Sequence, residues 1–409
     1  MAEKVVGVLL DTTGIQRYIF SSNRLKENLG ASHLVGSVYE KELKDALRST
    51  LEVEPDLKLW REQPDLVQMI LQSQIPFEVG YIGGGNALLF FRSRDTAERF
   101  VQTWTKRLII NAPGLTSAVA MDEFDLDQYV QERDKLFSQL DENKNRFLTS
   151  TALPKHGITA DCPLSGLSGE VPWREPGEET WHNISLVAYA KLNAAAQANE
   201  QLAAKYAHIL GDEFAFTNEI AKLGQTEGHD YLAVVHIDGN GIGRRFKNCT
   251  DLPATRRLSS EVDRITSQAY GELLHSIIAQ LDKLPKPEFD IQKDTEGKTL
   301  LPIRSIVLDG DDITFVTDGR LGVYLAEKFI HHAGKFELCD GKPLHFCAGV
   351  AIMKTRYPFF RGYGLAVELC AAAKEEAEKW RQDSSWLDFH IILGGKSGRL
   401  MNVREKHRS

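Results

Sequence analysis

Cysteine is scarce in this chain and scattered where it occurs. The five cysteines in 409 residues (Cys162, Cys249, Cys339, Cys347 and Cys370) include no Cys-x-x-Cys pair. That excludes a zinc ribbon and gives no support for a disulfide framework. No apolar run approaches the roughly 18 residues needed by a membrane-spanning helix. Basic excess is lacking too: 49 Lys and Arg face 57 Asp and Glu, a formal net charge of −8. That balance argues against broad electrostatic adhesion to nucleic acid and leaves room for a local basic groove. The first residues, Met-Ala-Glu-Lys, lead into an apolar stretch with no signal-peptide pattern. A cytoplasmic, reduced protein that meets no membrane is expected.

What is present is ordinary in bulk and distinctive in detail. Apolar residues make up 42% and charged residues 26%, the balance of a globular protein of two or three domains. The most informative stretch is Ile306-Val307-Leu308-Asp309-Gly310-Asp311-Asp312-Ile313-Thr314-Phe315-Val316. Two apolar runs around a glycine read as a hairpin, with Gly310 permitting the tight reversal. Adjacent Asp311 and Asp312 cannot both enter an apolar core, because successive strand side chains leave opposite faces. Negative charge gathered at a hairpin tip repels itself unless a cation neutralises it. A second acidic position lies upstream, where an apolar run ends at Asp238-Gly239-Asn240-Gly241-Ile242-Gly243. If the two acidic strands converge, they form a hard, oxygen-rich site suited to Mg²⁺ or Mn²⁺, the metal chemistry of nucleotidyl transfer.

The chain also repeats itself. The run ending at Asp11-Thr12-Thr13-Gly14-Ile15 has the form of the strand ending at Asp238, and Gly83-Gly84-Gly85-Asn86 between apolar flanks has the form of the acidic hairpin. The interval from position 11 to 86 nearly equals that from 238 to 312. A third pair agrees, since residues 115–121 echo residues 346–353. Each unit reads as strand, turn, helix, hairpin, helix, strand, helix. Helices are expected over residues 16–47, interrupted at Gly30 and Gly36, over 258–281, and over 364–380. The fold class is α+β, with two tandem ferredoxin-like palm domains and helices on one face of each sheet. The expected division is a degenerate palm over 1–145, an irregular and then helical connector over 146–225, a catalytic palm over 226–395 and a tail over 396–409.

The two copies differ where chemistry would occur. Asp11 alone is a poor divalent site, because one carboxylate rarely offsets the dehydration of Mg²⁺. The first unit should be catalytically silent, yet Gly84 and Gly85 would let backbone approach a second nucleotide closely. The second unit, with Asp238, Asp311 and Asp312, is the expected active half.

These motifs resemble a known family. The second unit is similar to the palm of GGDEF cyclases, and more closely to that of the large polymerase-like subunit of type III CRISPR effector complexes. The resemblance rests on residues 238–243, on Asp309-Gly310-Asp311-Asp312 at the Gly-Gly-Asp-Asp position, and on Ala373-Lys374 in the closing helix. The first unit resembles that subunit's degenerate palm through residues 11–20 and 83–86. The resemblance implies condensation of ATP into cyclic oligoadenylates with loss of pyrophosphate, in antiviral defence. It implies two metal ions held by Asp238, Asp311, Asp312 and the Gly239 carbonyl. Lys374 would meet the triphosphate, while Asn240 and Gly310 would shape the nucleotide position. Implied partners are ATP or another nucleoside triphosphate, further CRISPR effector subunits, and guide and target RNA.

The sequence departs from that pattern in places. Asp309 replaces the first glycine of the hairpin and either tunes metal binding or is a solvated turn residue. The first palm strand starts near Lys4, so an N-terminal HD nuclease domain is not expected, and His229-Asp230 stands alone. The zinc-binding cysteine pairs of some relatives are missing. His236 reads as a core residue or a support for the site. His331-His332 reads as surface. Arg17 and Tyr18 either pack on their own helix or touch nucleotide. The alternative to an enzyme is a non-catalytic or conditionally active scaffold subunit of an RNA-guided complex. A free-standing cyclase would be a monomer or homodimer.

Overall fold

The computed structural model describes residues 4–73, 75–146, 157–175, 177–286, 288–380 and 384–392. The chain forms two compact units, one of Met1–Ser22, Glu27–Ala198 and Gly243–Ser260, the other of Asn23–Lys26, Asn199–Ile242 and Glu261–Ser409. Of the segment read above as a connector, residues up to 198 thus join the first unit and later ones the second. Residues 147–156 and the tail 396–409 lie outside the described residues. The fold is mixed α/β with several sheets.

The first unit is built on a four-stranded antiparallel sheet. Its strands are β1 (Val5–Thr13), β2 (Phe77–Gly83), β3 (Asn86–Phe91) and β4 (Thr116–Phe124), in the order β2-β3-β1-β4. Helix α1 (Leu25–Ser37) follows β1 and runs unbroken through Gly30 and Gly36, where the sequence suggests interruptions. Gly30 serves packing instead: a Cβ there would overlap the Lys191 carbonyl on a later helix. The break comes afterwards, in a π turn at Val38–Glu42. Helix α2 (Arg94–Asn111) begins at Ser93, whose hydroxyl accepts the Thr96 amide at 3.3 Å, a standard N-cap bond. Helix α3 (Tyr129–Arg146) packs on β4 and β1, and α4 (Leu186–Lys205) carries Lys191.

The second unit repeats the plan. Strand β5 (Tyr231–Gly239) leads to α5 (Ile242–Lys247) and α6 (Leu252–Ile278), whose residues up to Ser260 belong to the first unit. Then come β6 (Ile303–Asp309), β7 (Asp312–Asp318), α7 (Gly322–Ala333), β8 (Phe346–Lys354) and α8 (Phe359–Lys379). A last strand, β9 (Trp386–Ile391), lies parallel to β8. The order β6-β7-β5-β8-β9 repeats that of the first sheet and adds one edge strand. Register repeats as well. Asp11 faces Asn86 as Asp238 faces Asp312, and each hairpin shifts register once, at Val79/Tyr81 and at Ser305/Val307.

One strand of each sheet is more deeply enclosed than expected. Val5–Leu10 and Phe346–Met353 are buried at every consecutive position, so both faces of these strands are covered, not one. Continuous apolar runs, not alternating ones, are the physical reason.

Candidate active site

The acidic hairpin places its carboxylates at the end of β5. Asp312, the first residue of β7, stands directly across the ladder from Asp238. Asp311 occupies the turn, and its carbonyl accepts the Gly239 amide at 3.2 Å. Gly239 must lack a side chain here, since a Cβ would lie 2.8 Å from the Asp311 Cβ. Gly310 turns the chain at φ 54°, while Asp311 keeps a negative φ. Positive φ at the first central residue alone is the pattern of a type II′ turn. In the first unit both Gly84 (φ 59°) and Gly85 (φ 76°) are positive, the pattern of a type I′ turn. Only a non-glycine second residue can carry a carboxylate, and that residue resists positive φ.

The carboxylates do not share one environment. Burial, and then the nearby charge of Asp238, pushes Asp311 up to about 6. Burial followed by Asp238, Asp311 and Asp309 pushes Asp312 up to about 8. The Asp312 side chain is 35% exposed, but its Oδ1 is buried and accepts no hydrogen bond. His236, two residues before Asp238 on the same strand, sits 3.4 Å from that oxygen and 3.2 Å from the Thr314 hydroxyl. Burial holds its imidazole down at about 4, so at neutral pH it is uncharged and forms no ion pair with Asp312.

Lys374 supplies the cation. From α8 its Nζ donates to Asp238 Oδ2 at 2.5 Å and to the Gly239 carbonyl at 3.2 Å. Burial opposes the charge on Lys374, but Asp238 overcomes this and its pKa is raised. The approach of α8 depends on Gly349 of β8, where a Cβ would overlap the Ala366 carbonyl. Asn240 is fixed by its amide on the His345 carbonyl at 2.8 Å and by Nδ2 on the Ser384 carbonyl, leaving a buried Oδ1 without a partner.

The donor set fits a divalent ion. Carboxylate and carbonyl oxygens are the ligands Mg²⁺ and Mn²⁺ prefer, and the lone Asp312 Oδ1 is a buried acceptor without a donor. Among the described residues, however, no three His, Cys, Asp or Glu side chains already meet as a metal cluster. Asp238 is turned onto Lys374 instead.

The first unit answers position by position. Asp11 is paired with Lys144 of α3 at 3.1 Å, and Asn86 Oδ1 is a buried acceptor without a donor. Burial raises the Asp11 pKa, with Lys144 opposing. Gly84 is exposed. The Gly85 carbonyl points inward and accepts from the Thr12 amide and hydroxyl, each at 3.0 Å, and from the Tyr39 hydroxyl at 2.5 Å. Sequence reasoning missed Lys144, Thr12 and Tyr39. Extending the repeat into the helix after the fourth strand would have found Lys144.

Other candidates separate from the site. Arg17 is exposed, whereas Tyr18 is buried under the Lys191 ammonium, 4.2 Å from its ring centroid. Asp230 pairs with Lys354. His332 meets the Ser276 hydroxyl at 3.2 Å. A groove of about 900 Å³ lies at the opposite end of β5, lined by Gln225, Asp230, Phe289 and Ile291. Among the described residues, no helix is long and apolar enough to cross a membrane.

No family profile and no curated protein matches the sequence. Solved structures do. The chain is similar to a Csm1–Csm4 cassette crystallised in complex with cA3, at TM-score 0.54 and 13% identity, over 98% of this chain and 56% of that one. It is similar to a Csm1–Csm4 cassette in complex with one ATP, at TM-score 0.53 and 15% identity, over 98% and 56%. A Csm1–Csm4 subcomplex of the type III-A CRISPR-Csm interference complex matches at TM-score 0.50 and 14% identity, also over 98% and 56%. This chain thus spans a little over half the length of those it matches. At such identity the likeness is one of fold.

Proposed function

We propose that this chain is a nucleotide cyclase of the type III CRISPR kind, condensing ATP into cyclic oligoadenylates with release of pyrophosphate. In this reading residues 1–145 are a degenerate palm, 146–225 a connector, 226–395 the catalytic palm and 396–409 a tail. One observation carries it. Asp238 and Asp312 face each other across a ladder with Asp311 on the adjoining turn, in a sheet whose duplicate has Asn86 in place of the second acid. The similarity to cassettes crystallised with cA3 and with ATP supports the choice of nucleotide.

Asp238, Asp311, Asp312 and the Gly239 carbonyl would hold Mg²⁺ or Mn²⁺. Bound there, the ions would activate an attacking hydroxyl and steady the leaving phosphate oxygen. The chain's own residues do the rest. Gly310 and Gly239 let the turn approach β5, Asn240 and Gly310 border the nucleotide, and Lys374 offers its charge to phosphate oxygens. Gly84 and Gly85 would border a nucleotide held without metal in the first unit. Partners would be the nucleoside triphosphate, other effector subunits, and guide and target RNA.

The test is incubation with each labelled nucleoside triphosphate and Mg²⁺ or Mn²⁺, with products resolved by mass spectrometry. A cyclic or linear oligonucleotide that disappears in Asp311→Ala/Asp312→Ala supports the reading. A product that survives that double substitution refutes it. One observation favours a second reading, a scaffold subunit that is silent until triggered: Asp238 is held by Lys374 rather than gathered with the other acids. Product formation only after a guide–target RNA complex is added would select it.

A further inference from the structure

Two independent sites in this chain tie a strand-end aspartate to a lysine from the helix after the fourth strand. Asp238 has Lys374, and Asp11 has Lys144. The second pair exists where the hairpin carries no carboxylate, so the lysine is not there merely to balance a surplus of acid. In the second unit Lys374 occupies two oxygens at once, Asp238 Oδ2 and the Gly239 carbonyl. Those are the strand-borne oxygens assigned above to the metal. The pair is partly sheltered, with the side chains 32% and 37% exposed, and the close packing at Gly349 fixes the helix that brings it.

We propose that Lys374 is an internal counter-ion competing with the divalent ion for Asp238 and Gly239, so that metal entry and lysine departure are a single exchange. The inference rests on the metal-site reading and goes beyond it. A carboxylate oxygen bonded to an ammonium cannot offer the same lone pair to a metal, and two cations on neighbouring oxygens repel. Lys374 is therefore a positioning residue that keeps Asp238 in place before loading, at a cost in metal affinity. Once displaced, its ammonium is free to meet an anionic ligand, so loading and ligand capture are ordered.

Mn²⁺ binding to the full chain, read as loss of the free Mn²⁺ electron paramagnetic resonance signal at fixed pH and salt, tests this without any turnover. Lys374→Met and Lys374→Gln should each tighten Mn²⁺ binding by up to about fivefold, the range expected for a partly exposed ion pair. Lys374→Arg should not tighten it. In wild type, acylation of Lys374 measured by mass spectrometry should rise when Mn²⁺ is added, a readout that needs no variant to fold. If Asp311→Asn/Asp312→Asn abolishes Mn²⁺ binding but both neutral variants bind as wild type or more weakly, the exchange is overturned and the metal site stands. Unchanged Lys374 acylation on metal addition overturns it likewise. If no saturable binding depends on Asp311 and Asp312, the inference falls together with the reading beneath it.

Discussion

Gly349 and Ala366 are in such close contact that β8 and α8 meet backbone to backbone; a Cβ on Gly349 would overlap the Ala366 carbonyl oxygen and crowd the Cys370 amide. Everything α8 contributes to the site depends on that approach. Gly349→Ala should destabilise the second unit by about 1–3 kcal/mol or more, the usual cost of overpacking. Guanidinium denaturation measures the loss. A substitution without effect would show that α8 can retreat freely.

Metal binding to the native state alone raises stability by mass action. Wild-type protein should melt at a higher temperature with millimolar Mn²⁺ or Mg²⁺ than with chelator. Asp311→Asn/Asp312→Asn should remove that dependence. In chelator the double variant should also melt above wild type at neutral pH, since Asp312, pushed up by burial to about 8, must take up a proton on folding at that pH and an Asn need not. Calorimetry with and without metal checks both statements.

Arg256 and Glu78 form a buried pair in the first unit, with side chains 1% and 6% exposed. The guanidinium grips the register shift of β2, donating to Gly80 O at 2.8 Å and Val79 O at 2.5 Å, and ties it to the preceding loop through Leu66 O at 2.7 Å. Removing one partner strands the other charge. Arg256→Met should cost about 3–5 kcal/mol, and a paired Glu78→Met should recover part of it. Denaturant midpoints of the single and double variants decide this.

Lys191 provides a pH signature away from the acidic site. Its ammonium donates to the Tyr18 carbonyl at 2.6 Å and to the Ser21 hydroxyl at 3.0 Å. Burial pushes it down to about 8, with Glu27 opposing. Between about 8 and its ordinary 10.5 the unfolded chain holds the proton and the folded chain does not. The unfolded state therefore binds more protons, and this group's contribution to stability increases with pH across that window. The difference in denaturation midpoint between wild type and Lys191→Met should climb from pH 8 to pH 10. A flat difference would contradict the assignment.

The repeat was legible because strand, turn and strand recur at nearly equal intervals, and the positions that face each other, 11 with 86 and 238 with 312, follow from those intervals. The acidic hairpin was legible because its charge stands out between apolar runs. Contacts made by distant approach were not. Lys144 could be reached only by carrying the repeat on into the helix after the fourth strand, and nothing near Arg256 announces a shifted strand at Gly80. Helix α6 begins at Leu252, earlier than the expected 258, and its first turn holds Pro253, a position where the missing amide costs nothing. Gly30 was misread as well. Its use as a contact with α4 cannot be told locally from a helix interruption.

The two turn types also make the divergence of the halves hard to reverse. Asn86→Asp would return one acid to the first hairpin by a single exchange. A neighbour to it would require Gly85→Asp, at φ 76° and with its Cβ only 2.7 Å from Ile15 Cδ1. That acid would carry the strain of a left-handed backbone and would have to displace the Ile15 side chain. The first hairpin behaves as a ratchet, since the second acid comes only with strain at a positive φ and a shift of Ile15.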